Sequence, residues 1–191
     1  MLAVRLSSVR SLRSLLLASS LRGLAAAVTT SPLQIEQFRC LSDNYGFLLH
    51  APSAGLTACI DTPEVGPIVA ACERRGWKLT HILNTHHHYD HAGGNDELKR
   101  RFGCKVIGPA AEKDKIPSID EPVSGGDAFA FGGHEVRVID VGGHTLGQVA
   151  YHLPDANAAF VGDALFALGC GRLFEGTPSQ AGRGGVGYGM G

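Results

Sequence analysis

No acidic residue occurs before Glu36, whereas Arg5, Arg10, Arg13 and Arg22 all fall in that opening stretch. Ser7, Ser8, Ser11, Ser14, Ser19 and Ser20 stand there among leucines. An arginine-rich, serine-rich, acid-free start has the composition of an organelle transit peptide. Residues 1–31 are therefore expected to be an import signal, addressed first to the mitochondrial matrix, with plastid and cytoplasm as alternatives. Long apolar runs are also missing. Arg10, Arg13 and Arg22 break up the leucines, so no stretch reaches the ~20 residues that a membrane span needs. Cysteine pairs are missing too: Cys40, Cys59, Cys72, Cys104 and Cys170 form no CxxC unit and no zinc-knuckle spacing. Scattered, odd-numbered cysteines fit reduced thiols, each read as a small core residue.

An excess of either charge is lacking as well. Lys and Arg number 17 against 18 Asp and Glu, for a net charge of −1. A general nucleic-acid binder, which needs a basic face for phosphate, is excluded on that balance. What remains is an ordinary globular composition, 44% hydrophobic and 18% charged over 191 residues, enough for one full domain. Glycine is abundant, at 26 residues, roughly twice the usual ~7%. Tight turns and close backbone approaches are expected.

The body of the chain reads as strands followed by strand–helix–strand alternation. Strands are expected at 33–39, 45–49, 56–60, 79–83, 105–107, 129–131, 135–141, 149–153 and 158–161. A helix is expected from Pro63, carried by Val65, Ile68, Val69 and Cys72 and closed by Gly76. A second is expected over 91–102, stopped by Gly103. Residues 109–126 read as a loop-rich connection with one helical turn. This order indicates an α/β layered domain.

One segment outweighs the others. Asn84-Thr85-His86-His87-His88-Tyr89-Asp90-His91 follows directly on the apolar strand LTHIL. In extended backbone, side chains at i and i+2 share a side. His86, His88 and Asp90 then point together, and His91, at the bend into a helix, swings toward the same cavity. His87 and Tyr89 alternate away and read as supporting residues. Imidazole with carboxylate suits zinc, iron or manganese, and Gly93-Gly94 lets the backbone turn beside the ions. Two further strands end in metal-capable side chains with glycine before them: Gly142-Gly143-His144 and Gly162-Asp163. Ligands in layered α/β sheets gather at such strand ends.

The order THHHYDHAGGN (85–95), GGHT (142–145), VGDALF (161–166) and GCGRLFEGT (169–177) resembles the metallo-β-lactamase superfamily. Within it the match is to glyoxalase II, the hydroxyacylglutathione hydrolases, and CLSDNYGFLL (40–49) resembles that family's first hairpin. The resemblance implies an αββα sandwich and two divalent metal ions, zinc first, with iron or manganese possible alternatives. It places His86, His88 and His144 on the first ion, Asp90 and His91 on the second, and Asp163 between both. Two such ions make a water-derived nucleophile available near neutral pH and stabilise charge developing on a carbonyl oxygen. The implied substrate is a small-molecule glutathione thioester, S-D-lactoylglutathione, cleaved to glutathione and D-lactate. Asp90 and Asp163 are the implied catalytic carboxylates. Arg172 stands at the family position that contacts a glutathione carboxylate, and Phe174 at a position where some members carry Tyr.

The resemblance stops after Gln180. The family continues with a strand bearing one more metal-ligand His and with a helical region that completes the glutathione site. Here residues 181–191 are a glycine-rich tail, expected to be disordered. The expected organisation is thus a transit segment over 1–31, a partial catalytic domain over 32–180, and the tail. The second ion is expected to lack one His, activity to be impaired, and a sheet edge to be left unpaired. Two rivals accompany this reading. One is a mononuclear iron persulfide dioxygenase of the same superfamily, using His86, His144 and Asp163. The other is an inactive, truncated metal-binding product.

Overall fold

The structure is a computed structural model and describes residues 3–5 and 31–186. Two sheets pack face to face. The first is six-stranded, in the order β2 (Gln34–Cys40), β3 (Asn44–Ala51), β4 (Leu56–Ile60), β5 (His81–Leu83), β6 (Lys105–Pro109) and β7 (Glu121–Val123). Its first three strands run antiparallel and β4 to β7 run parallel. The second is antiparallel, in the order β1 (Ala3–Arg5), β11 (Ala158–Phe160), β10 (Val149–Leu153), β9 (His134–Asp140) and β8 (Ala128–Phe131).

Strand alternation splits the core into layers. Phe47, Leu49, Ala58, Ile60, Leu83 and Ile107 face inward and meet Phe131, Val136, Val138, Val149, Tyr151, Leu153 and Phe160 of the second sheet. Their neighbours Leu48, Cys59, Ile82 and Val106 face outward and pack against helices. Those helices are α1 (Val65–Arg75), α2 (Tyr89–Ala92) and α3 (Asn95–Phe102). Helix α1 buries Ile68, Val69, Ala71 and Cys72 on one stripe and ends at Gly76, whose φ of 66° is left-handed. A smaller cluster of Val141, Ala150, Ala159 and Val161 lies on the other face of the second sheet. The expected layered sandwich is therefore present, with α1, α2 and α3 on one flank. Helix α4 (Pro178–Val186) is the one described helix that follows the second sheet. No helix of the described residues is long and apolar enough to cross a membrane.

Several expectations need correction. The helix expected over 91–102 is two helices. Gly94 N–H leaves the helical pattern and donates to Thr62 O at 3.0 Å, so the chain bends between Ala92 and Asn95. The loop-rich 109–126 segment contains β7, which pairs with β6 over Ile107–Pro109. Four cysteines are buried core residues, but Cys170 is exposed. The tail is helical as far as Val186 rather than disordered from 181. Thr177 starts that helix: its side chain accepts from Gln180 N–H at 3.4 Å and its carbonyl accepts from Ala181 N–H at 3.1 Å. The outer edge of β11 pairs with β1. Apart from Ala3–Arg5 and Ser31, the expected transit segment lies outside the described residues, as do 187–191.

Candidate metal centre

The parallel strands deliver their C-terminal ends to one rim. Strand β5 stops at Leu83, and Asn84 N–H still donates to Ile107 O at 2.8 Å, which holds the exit in register with β6. The next residues carry His86, His88, Asp90 and His91. The β9–β10 connection supplies His144, and the turn after β11 supplies Asp163.

These side chains form two groups whose donor atoms all lie within 4.8 Å of one another: His86, His88 and His144, and His86, His91 and Asp163. In the first, His88 Nδ1 lies 3.2 Å from His86 Nε2 and 2.9 Å from His144 Nε2. In the second, His91 Nε2 lies 3.3 Å from Asp163 Oδ1. The other oxygen of Asp163 lies 3.4 Å from His144 Nε2, so one carboxylate faces both groups. Asp90 belongs to neither group; its half-exposed carboxylate stands 3.5 Å from His91 Nε2.

The tautomers show what these atoms can accept. A backbone carbonyl only accepts, so His144 Nδ1 donates to Arg172 O at 2.7 Å and its Nε2 keeps a lone pair. His91 Nδ1 likewise donates to the buried Asp61 carboxylate at 2.9 Å. His91 Nε2 is buried without a hydrogen-bond partner and faces two carboxylates. Lone pairs and carboxylate oxygens that converge in this way call for cations between them. The donor set thus fits divalent metal, and His–carboxylate pairs of this kind orient metal ligands.

Electrostatics agree. Burial, and then the neighbouring histidines, hold His86 well below the ordinary imidazole pKa and so leave it a neutral ligand. Burial and then His144 lower His88 as well. Burial alone would lower His91, but Asp61, Asp163 and Asp90 together outweigh it and raise its pKa well above the usual value. The His91 imidazole, 3.5 Å away, lowers Asp90 to about 2. Burial opposes ionisation of Asp163, and His91 overcomes it.

The remaining sequence candidates line the mouth. Phe174 is 63% exposed. Its ring meets His88 and His144 edge-on, with centroids 5.5 and 5.2 Å away. Arg172 contributes its carbonyl to His144, while its side chain is exposed. His87 and Tyr89 point away from both groups: His87 toward Glu112, and Tyr89 to solvent.

Two buried carboxylates escaped the sequence reading. Asp61 accepts from Thr85 N–H at 2.7 Å, from Thr85 Oγ1–H at 2.8 Å and from His91. It stands just past β4, at a strand end like that of Asp163 but with Ile60 rather than glycine before it. Glu112 accepts from residues on both sides of the cleft, and no local pattern announces it. Behind them, Asn95 donates to Asn84 Oδ1 at 2.7 Å, and Asn84 Nδ2 donates to His91 O at 2.9 Å.

Comparison with known proteins gives a consistent result. The family model of the Metallo-beta-lactamase superfamily matches residues 66–188. Hydroxyacylglutathione hydrolases of Brucella ovis and Brucella canis are each 60% identical to this chain over 147 residues, 77% of its length. The chain spans 57% and 56% of those two proteins, a little over half of their length. Among solved structures, ETHE1 from Myxococcus xanthus superposes with a TM-score of 0.70 at 26% identity, over 82% of this chain and 69% of that one. The B3 metallo-beta-lactamase BLEG-1 reaches 0.73 at 18% identity, over 82% and 85%. That likeness speaks to the fold alone.

Proposed function

We infer the function from the premise that this chain belongs to the metallo-beta-lactamase superfamily: it is a metal-dependent thioester hydrolase that cleaves S-D-lactoylglutathione to glutathione and D-lactate. The observation that carries the reading is the convergence of His86, His88, His91, His144 and Asp163 into two adjoining donor groups. The substrate class follows from the hydroxyacylglutathione hydrolases, which share 60% of the matched residues.

His86, His88 and His144 would hold one ion, and Asp90 and His91 a second, with Asp163 reaching both; zinc suits this nitrogen-rich set, and iron or manganese are the alternatives. When bound, such ions supply a nucleophile at neutral pH and polarise a carbonyl oxygen. The chain does the rest. Asp61 and the Arg172 carbonyl hold His91 and His144 in the tautomers that present Nε2 inward. Asp90, ionised at neutral pH, stands at the opening, where it accepts a hydrogen bond from the attacking water and orients it. Phe174 covers the rings of His88 and His144 and keeps bulk water from that side. The exposed Arg172 guanidinium suits a glutathione carboxylate. The leaving thiolate needs no strong acid. The acid-free, arginine-rich segment 1–31 supports delivery to the mitochondrial matrix, which a fluorescent fusion to those residues would report.

The test is hydrolysis of S-D-lactoylglutathione by the purified full chain, with metal content measured on the same sample. Turnover abolished by a chelator and restored by zinc supports the reading. Oxygen uptake with glutathione persulfide in place of hydrolysis would assign the dioxygenase chemistry. Bound metal without turnover of any thioester would leave a metal-binding protein.

A further inference from the structure

We propose that Glu112 is a positioning residue that braces the two halves of the metal centre against each other; the inference rests on the metal reading above. Glu112 closes a 3-10 turn, Ala110–Glu112, that follows β6. It belongs to neither donor group and is 3% exposed. A carboxylate so buried is costly unless its oxygens are satisfied, and the partners of this one are spread across the cleft. Oε2 accepts from His87 N–H at 2.7 Å and lies 2.7 Å from His87 Nδ1, which must carry the proton to donate. Oε1 accepts from the Thr145 hydroxyl and from Gly147 N–H at 3.0 Å. One oxygen therefore ties down the residue between His86 and His88, and the other the residue after His144.

Two features show that the fork is built into the fold. The Glu112 carbonyl accepts from Lys115 N–H at 2.9 Å and Ile116 N–H at 3.2 Å, which anchors the residue's own backbone. A Cβ at position 147 would stand 2.7 Å from Glu112 Cγ, so only glycine lets the carboxylate come this close. The brace also reaches the mouth. The far ring nitrogen of His87, Nε2, lies 3.6 Å from Glu175, whose carboxylate accepts from Leu146 N–H at 3.1 Å. His88 and His144 come from segments 56 residues apart, yet they hold ring nitrogens 2.9 Å apart. Glu112 is the one side chain among the described residues hydrogen-bonded to an immediate neighbour of each.

The test measures zinc affinity of the full chain by competition with a chromophoric chelator, alongside the thermal midpoint of the metal-free protein. Glu112→Gln keeps the size but turns an N–H group toward a donor on one side. It is expected to weaken zinc binding by about 10–100-fold with the donor set intact. Thr145→Val removes one of the four bonds and is expected to give a smaller loss in the same direction. A lower midpoint with unchanged zinc affinity in the folded variants would reduce Glu112 to a structural residue and overturn the proposal. Should Glu112→Gln fail to fold, Thr145→Val decides, and unchanged affinity there has the same force. Thioester turnover does not enter. A wild-type chain that binds zinc and hydrolyses nothing removes the proposed function and leaves the brace standing. One that binds no zinc overturns both.

Discussion

The two walls of the cleft are held in different ways. On one, much of the 84–95 segment sinks into the core: Asn84, Thr85, His86, His91 and Asn95 are at most 1% exposed, although Tyr89 and Asp90 face solvent. Asp61, Glu112 and the Asn84–Asn95 pair bind that wall through side chains. On the other, the segment after Asp163 exposes Leu165, Leu168, Leu173 and Phe174 at 43%, 103%, 39% and 63%. It is tied down mainly by backbone bonds, Gly171 N–H to Asp163 O at 2.8 Å, Phe174 N–H to His144 O at 3.1 Å and Gly176 N–H to Gly143 O at 3.0 Å. The contrast separates two tasks. Ion binding needs donors fixed before the ion arrives, and buried, fully paired polar groups do that. Under the proposed function, substrate contact would tolerate a softer, apolar rim.

Substitutions can break this comparison. His86→Ala removes the ligand that both donor groups share. Metal content should fall to background, and turnover should drop by roughly 10³-fold or more, as expected when several kcal/mol of charge stabilisation are lost; elemental analysis with a thioester assay checks both. Asp61→Ala comes next. It strands the buried His91 and two Thr85 donors, and should cost about 3–5 kcal/mol in denaturant unfolding. An effect confined to stability, with no loss of metal affinity, would erase the distinction drawn for the buried wall.

Gly171→Ala probes a point where the exposed wall is tight. An added Cβ would stand 2.6 Å from Asp163 O and 2.7 Å from His144 Nδ1. A penalty of ~1–3 kcal/mol is expected; a neutral outcome would show that this wall gives way even where glycine is packed against the metal centre. The pH dependence is gentler. Asp61, Asp163 and Asp90 raise the pKa of His91, so the metal-free protein holds its second ring proton to higher pH than a free imidazole would, and a cation must displace that proton. Metal affinity should therefore rise with pH, by up to about tenfold per unit, until the raised pKa is passed. The same imidazolium stabilises the metal-free fold below pH 6.5, and that contribution is lost as pH rises through the folded value. Calorimetry in buffers of different ionisation heat would detect the released proton. Arg172→Ala should have the smallest effect, a few-fold rise in KM with kcat nearly unchanged, because an exposed charge pair contributes at most about 1 kcal/mol.

Much of this architecture was legible in the residues. His86, His88 and His91 lie within one short stretch and meet in the donor groups, whereas Asp90, on the helix α2 rather than on extended backbone, stands outside both. His144 and Asp163 were found because glycine precedes each at the end of an apolar strand. Glu112 was hidden because its partners lie 25, 33 and 35 residues away, in segments with no common period. The break between α2 and α3 was missed because the sequence pattern cannot show that Gly94 N–H bonds outside its helix. Strand β7 is three residues long, too short for alternation to reveal it.

The sequence alone determined the strand–helix order, the two-faced strands, and which imidazoles and carboxylates were available to a metal, because each of these is written in neighbouring residues. Only the tertiary structure decided that Asp163 faces both donor groups, that Asp61 and the Arg172 carbonyl select the ring tautomers, and that Glu112 spans the cleft. Those outcomes depend on distances between strand ends, and such distances exist only after the two sheets have closed on their shared core.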